Sequence, residues 1–118
     1  MGLQSALFSD DDALQDCLVN DRAHVTLGAV GDHVTKIHSA LTVIDNANIN
    51  LDELQDGRYG PTTAAAVLAY KRKRQIINHS YQTQADDIVG KMTIAALDRE
   101  MLVIEGQEAQ RAFPPRRL

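Results

Sequence analysis

Histidine and cysteine are the residues of this chain best suited to acid–base, nucleophilic or metal chemistry. None of the histidines belongs to a His-Glu-x-x-His motif or to another metal-ligand spacing. The chain also lacks a glycine-rich phosphate loop and a Gly-x-Ser-x-Gly motif. We therefore predict that the protein is not an enzyme and has no catalytic residue, metal or cofactor. We expect surface or half-buried positions for His24, His33, His38 and His79.

Cys17 is the only cysteine, which excludes an internal disulfide and a cysteine-rich zinc site. Its neighbours Leu14, Leu18 and Val19 are apolar, and free cysteine is among the most often buried residue types. We expect Cys17 to be a small core residue. A reactive thiol or a bridge between two copies of the chain is the alternative.

Two similar blocks contain the residues best suited to hold a charged ligand. The first block, residues 56–67, begins Asp-Gly-Arg-Tyr-Gly-Pro-Thr-Thr. The second block, residues 86–97, begins Asp-Asp-Ile-Val-Gly-Lys-Met-Thr and shares Asp, Gly, Thr and two Ala with the first at aligned positions. Self-similarity at a single offset predicts a compact domain with a pseudo-twofold repeat.

Each block has the composition of a turn followed by the start of a helix. We call residues 56–60 the first turn and residues 86–90 the second turn. Gly57 tolerates a positive φ, and Pro61 suits the first position of a helix. Replacing Gly60 or Gly90 with a β-branched residue should cost about 1 kcal/mol or more if either position needs a positive φ.

The starts of these helices are the predicted ligand-binding region. Free N–H groups at a helix start can hold a carboxylate, and Arg58 and Lys91 could add charge-assisted hydrogen bonds. For Asp56 and Tyr59 a structural role in the turn is the stronger interpretation. The candidate ligand-binding residues are Asp56, Arg58, Tyr59, Thr62 and Lys91.

The elements that position these residues are predicted to be helices. Apolar residues at helical spacing indicate main helices at about 32–44, 61–77 and 91–104 and a short N-terminal helix at about 11–19. No segment alternates like a β-strand. The predicted fold class is all-α: a three-helix bundle with a pseudo-twofold turn–helix repeat and a short N-terminal helix. We divide the chain into an N-terminal extension, 1–26, a three-helix domain, 27–104, and a C-terminal tail, 105–118, with Gly106 ending the last helix.

Composition narrows the classes of partner. The 118 residues carry a formal net charge of −4, which argues against a general nucleic-acid binder. The chain has no Trp, so a carbohydrate site built from stacked Trp rings is excluded. No apolar run approaches the roughly 20 residues of a membrane helix, so we predict no membrane insertion. The basic run at 71–74 is interpreted as a solvated helix face, with an anionic partner as the alternative.

Three stretches carry a family resemblance: Leu-Gly at 27–28, Gly-Asp-His-Val-Thr-Lys-Ile-His-Ser-Ala-Leu at 31–41, and the two blocks. Residues 27–102 thereby resemble the bacterial peptidoglycan-binding domain, a small three-helix module with a pseudo-repeat that is usually appended to cell-wall hydrolases. The Asp-Gly-x-Tyr-Gly-Pro-x-Thr motif is the most specific part. The family normally has Leu-Gln, Phe-Gln and Asp-Gly where this chain has Ile37-His38, Tyr70-Lys71 and Asp86-Asp87.

The resemblance implies a non-catalytic module that targets a hydrolase, an effector or an envelope machine to the wall by binding a peptidoglycan stem peptide or glycan. The alternative is an adaptor that uses the same bundle to dock another protein. Wall binding predicts a polar groove between the two turns, and an adaptor predicts an apolar patch of several hundred square ångströms. The N-terminus lacks the features of a secretory signal peptide. We therefore expect action in the envelope or periplasm by a signal-independent route, such as phage lysis or a dedicated secretion machine, and otherwise a cytoplasmic location.

Overall fold

The computed structural model describes residues 2–77 and 84–112, with side chains as far as residue 107. All regular secondary structure within these residues is helical, which confirms the all-α fold class. His79 and residues 113–118 of the predicted tail lie outside the described residues. The elements are α1 (Asp12–Val19), a 3-10 turn (Asp21–Ala23), α2 (Asp32–Asp45), α3 (Leu51–Asp56), α4 (Pro61–Arg74) and α5 (Lys91–Ala112).

The ends of the helices follow local sequence signals. The carboxylate of Asp11 accepts a hydrogen bond from the N–H of Leu14 at 3.0 Å and thereby caps α1. Pro61 is the first residue of α4, where its missing N–H has no consequence. Gly57 ends α3 with a φ of +61°, which is the turn conformation predicted for the Asp-Gly pair. The starts of α1, α2, α4 and α5 agree with the sequence prediction to within about one residue.

One hydrophobic core joins the N-terminal residues to the main helices. Phe8 and Leu14 are fully buried in the same cluster as Ile37 of α2 and Leu97 of α5. Cys17 is also fully buried there, as predicted. Burial, and secondarily the charge of Asp16, raises the pKa of the Cys17 thiol to about 11, so the thiol stays protonated at neutral pH.

Two carboxylates of α5 fasten the N-terminal segment to this core. Asp98 accepts hydrogen bonds from the N–H groups of Gln4 and Ser5, each at 2.9 Å. Two turns further along the same face of α5, Glu105 accepts from the N–H groups of Ala6 and Leu7 at 2.8 and 3.1 Å. Four consecutive backbone donors are therefore satisfied by one helix.

The last helix is longer than predicted. α5 continues through Gly106 to Ala112, so the prediction that Gly106 ends the helix is wrong. An interior glycine lowers helix stability by only about 1 kcal/mol relative to alanine. The hydrogen bonds of Glu105, next to this glycine, offset part of that cost.

The basic run at 71–74 is only partly a solvated face. Lys71 is 6% exposed, and its ammonium group forms an ion pair with Asp86. Arg74 forms an ion pair with Glu100 of α5. The prediction of a solvated face is therefore wrong for these two basic residues, which lie three apart on one face of α4. The other two residues of the run are exposed, as predicted.

A single loop, residues 25–30, pairs with both turns. Val25 and Val89 exchange two backbone hydrogen bonds, each at 2.8 Å. The N–H of Tyr59 donates to the carbonyl of Ala29 at 2.8 Å, and the N–H of Gly28 donates to the carbonyl of Tyr59 at 2.9 Å. The first and second turns therefore lie on either side of the same stretch of backbone.

The position of Gly106 inside α5 gives a test of the fold. Replacing Gly106 with alanine should stabilise the protein by about 0.5–1 kcal/mol, because alanine is the better helix former and a Cβ there meets no described atom within 4 Å. Urea unfolding of both proteins measures the difference. A loss of stability in Gly106→Ala would instead indicate that the helix ends at this glycine.

Candidate ligand-binding site

The start of α4 is closed by the carboxylate of Glu53, a residue of α3 that is 2% exposed. The N–H groups of Gly60, Thr62 and Thr63 donate to this carboxylate at 3.1, 3.0 and 2.9 Å. The hydroxyl groups of Thr62 and Thr63 also donate to it, at 2.6 and 2.7 Å. Donors from a single helix start thus surround a negative charge, at the end of the helix where the backbone dipoles favour one.

These hydrogen bonds determine the charge state of Glu53. Burial alone raises the pKa of a carboxyl group, but the hydrogen bonds from Thr62 and Thr63 together outweigh it and lower the pKa of Glu53 to about 2. The side chain is therefore ionised at every pH above about 3. A buried charge of this kind is tolerated because its acceptor sites are occupied by donors.

His38 extends the network from α4 to α2. Its Nε2 lies 2.8 Å from the hydroxyl oxygen of Thr63. Because that hydroxyl donates to Glu53, it accepts from His38, and Nε2 carries the ring proton. Burial lowers the pKa of His38, so the ring is neutral. His38 is 2% exposed, so the prediction of a surface or half-buried position is wrong for it. Because Thr63 is also fully buried, the network orders the start of α4 away from solvent.

Gly60 is required by Glu53 and not by its backbone conformation. Its φ is −103°, and Gly90 likewise has no positive φ, so the condition under which a β-branched residue would strain the backbone is met at neither glycine. A Cβ on Gly60 would lie 2.5 Å from Cδ and 2.8 Å from Oε1 of Glu53. A Cβ on Gly90 meets no atom of residues 2–77 or 84–107 within 4 Å.

Among the candidate residues, Asp56 and Arg58 lie together at the surface of the first turn. Nε of Arg58 is 3.8 Å from the Asp56 carboxylate, and Nη2 is 2.8 Å from the carboxylate of Asp52. The guanidinium group is therefore already flanked by two acids. Exposed ion pairs of this kind contribute little to stability.

Tyr59 and Thr62 are used inside the fold. Tyr59 is 1% exposed, and its hydroxyl donates to the carbonyl of Asp87, so it links the first turn to the second. Thr62 donates its hydroxyl to Glu53 and accepts the N–H of Asn50 at 3.0 Å. Both side chains stabilise the turn and the start of α4.

Lys91 lies apart from the other four candidates, in a cavity of about 460 Å³ at the start of α5. Its ammonium group is 3.3 Å from Asp21. Lys71 and Asp86 form a second ion pair in the same cavity, where Lys71 also donates to the carbonyl of Ile88 at 2.8 Å. None of residues 56–62 is among the described residues that line it.

The cavity wall also contains the start of α5 itself. Gly90, Met92 and Thr93 line it beside Lys91. The side chain of Thr93 is almost completely buried, with 1% of the residue exposed. The cavity therefore combines two lysines, two acids and the first turn of a long helix, a set of groups that can bind a polar ligand but that shows no nucleophile–base arrangement.

Two further findings concern metal binding and membrane insertion. Within residues 2–77 and 84–112, no group of three or more His, Cys, Asp or Glu side chains is placed to hold a metal ion. In the same part of the chain, no helix has the length and apolar character needed to cross a membrane.

Sequence reasoning did not single out Glu53. It lies seven residues before Gly60, whereas the familiar capping motifs act within about three residues of the helix start. One available signal is that α4 begins with Gly60-Pro61 and has no Ser, Thr, Asp or Asn at its cap. Such a helix start leaves its backbone donors available to an acceptor from elsewhere in the chain.

Comparison with known proteins gives no match, whether the chain is compared with family models, with curated proteins or with solved structures.

Acid titration tests the role of Glu53. Its folded-state pKa lies below its ordinary value of 4.5, so its stabilisation is complete above about pH 5 and is lost as pH falls towards 2. The difference in unfolding free energy between the wild type and Glu53→Gln should therefore shrink by about 3 kcal/mol over that interval. Urea unfolding at several pH values measures it. Asp52→Asn, an exposed change on the same helix, is the control, and an equally large pH-dependent difference there would contradict the assignment.

The two turn glycines should respond differently to the same substitution. Gly60→Ala should destabilise the protein by about 1–3 kcal/mol, because the added methyl group collides with Glu53. Gly90→Ala should change stability by less than about 0.5 kcal/mol, because its methyl group enters open space. Urea unfolding distinguishes the two. Equal losses in both variants would show that the glycines are needed for another reason.

Proposed function

We propose that this chain is a non-catalytic module that binds bacterial peptidoglycan and so brings an attached or associated protein to the cell wall. The observation that carries the proposal is the cavity beside the second turn, where Lys91 and the start of α5 face a space large enough for part of a stem peptide. Backbone N–H groups at a helix start suit the carboxylates of such a peptide.

The arrangement of the two turns supports membership of the peptidoglycan-binding domain family. We infer that the two blocks are related by a pseudo-twofold repeat within a three-helix bundle of α2, α4 and α5. Tyr59 and Val89 occupy aligned positions, both are buried, and both pair with residues 25–30. Thr63 and Thr93, also aligned, are both buried in the first turn of their helices.

The departures from the family pattern fall on structural positions. His38 and Lys71 stand where the family normally has glutamine. Here His38 forms a hydrogen bond with Thr63, and Lys71 forms a hydrogen-bonded ion pair with Asp86. Their side chains hold helix starts and turns together, so the proposal places ligand binding on other residues, with Lys91 as the principal charged one.

An adaptor that docks another protein is the second candidate function. Leu27 and Val30 favour it, because both are 60% exposed on the loop that pairs with the two turns. An exposed apolar pair on a surface loop is a feature of protein-docking sites more than of sites for charged peptides.

A sedimentation assay with insoluble peptidoglycan sacculi tests the proposed function. The wild type should sediment with the sacculi, and Lys91→Ala should bind roughly tenfold more weakly, because it removes a charge-assisted hydrogen bond. Arg58→Ala should retain more of the wild-type binding than Lys91→Ala does, because Asp52 and Asp56 already flank Arg58.

Thermal unfolding of each variant serves as the folding control. Wild type that remains in the supernatant at low salt would contradict wall binding and favour the adaptor. A larger loss in Arg58→Ala than in Lys91→Ala would move the site to the first turn.

A further inference from the structure

The two aligned helix starts differ in what they hold: the start of α4 binds the carboxylate of Glu53, whereas no carboxylate of residues 2–77 or 84–112 accepts from the start of α5. Gly90 and Thr93 stand in the second block where Gly60 and Thr63 stand in the first. The helices also begin with the same backbone hydrogen bond, since the N–H of residue 64 donates to the carbonyl of Gly60 at 2.9 Å and the N–H of residue 94 donates to that of Gly90 at 3.0 Å. Glu53 occupies the donors of α4.

At the start of α5 the corresponding donors have no acceptor among the described residues. The N–H groups of Met92 and Thr93 and the hydroxyl of Thr93 match the donors that surround Glu53, and no described group accepts from them. Thr93 is nevertheless 1% exposed, and its side chain lines the 460 Å³ cavity. Thr93 is thus a largely buried residue that borders a cavity and whose hydroxyl has no hydrogen-bond partner among residues 2–77 and 84–112, which points to a ligand in that cavity.

We propose that the cavity at the start of α5 binds a carboxylate group of a ligand in the geometry in which the start of α4 binds Glu53. The N–H groups of Met92 and Thr93 and the hydroxyl of Thr93 donate to it. The chemical class is a peptide with a free carboxylate. The identification of this peptide as a peptidoglycan stem peptide rests on the proposed function. The carboxylate site itself does not depend on that function.

The charges of the cavity are compatible with an anionic group. Lys71 neutralises Asp86, and Lys91 lies beside Asp21, an acid whose side chain is 81% exposed. An exposed ion pair is weak, so a ligand carboxylate can replace Asp21 as the partner of Lys91 at little cost. Lys91 then contributes a charge-assisted hydrogen bond beside the helix start.

Gly90 supplies a specific way to block this site. At the start of α4, a Cβ on Gly60 would come within 2.8 Å of the bound carboxylate. By the same geometry, a Cβ on Gly90 would occupy the place of the ligand carboxylate, although it meets no atom of the described part of the chain within 4 Å. Gly90→Ala therefore removes binding space without disturbing the fold.

The test is a titration followed by NMR of the backbone amides, with N-acetyl-D-alanyl-D-alanine and its C-terminal amide as probes. The acid should shift the amide signals of Met92 and Thr93 saturably, and the C-terminal amide should bind at least tenfold more weakly. Gly90→Ala should bind the acid at least tenfold more weakly than the wild type. Gly106→Ala, the same change in open space on the same helix, should bind like the wild type.

Two results would overturn the carboxylate site: equal binding of the acid and its amide, or unchanged binding in Gly90→Ala. Thr93→Val provides a second variant of nearly the same shape and should also weaken binding, since it removes only the hydroxyl.

The sacculus assay separates this inference from the proposed function. If the wild type and Gly90→Ala sediment equally and also bind the acid equally, wall binding stands and the carboxylate site is refuted. If the wild type does not sediment with sacculi but binds the acid more tightly than Gly90→Ala does, the carboxylate site is supported. Peptidoglycan is then refuted as the source of the ligand.

Discussion

The fold depends on the burial of one charge, the carboxylate of Glu53. Five donors from the start of α4 converge on it, so this side chain joins α3 to α4. The same contact explains why Gly60 has no side chain and why Thr63 is buried, and through His38 it fixes α2 against α4. An ionised group this deeply buried would be strongly destabilising with any fewer partners, so these residues act as one unit.

The sequence predicts what is local in this structure. A proline at the first helical position and apolar residues at helical spacing predict where the helices lie, because each signal acts within one or two turns of chain. Such local rules do not predict contacts between residues that are far apart in the sequence. Lys71 lies in a run of four basic residues, a pattern typical of a solvated face, and only the packing of the second turn against α4 buries it. Gly106 stays helical for a similar reason, because neighbouring Glu105 is engaged with the N-terminal segment.

The candidate site was only partly predictable for the same reason. The two blocks direct attention to the turns, and Lys91 does line a cavity. Nothing in the spacing indicates that Tyr59 and Thr62 are used internally, since that follows from contacts with Asp87 and Glu53. Nor does the sequence alone show that one of two similar helix starts is already filled. The asymmetry between them arises from a residue outside both blocks.

The attachment of residues 4–7 to α5 has a mechanical consequence. Hydrogen bonds from Asp98 and Glu105 connect parts of the chain more than ninety residues apart. Tension applied through the two termini would load these bonds before it reached the turns, because they lie closest to the points of pulling. Under such a load the N-terminal segment would detach first, while Glu53 and the start of α5 kept their arrangement.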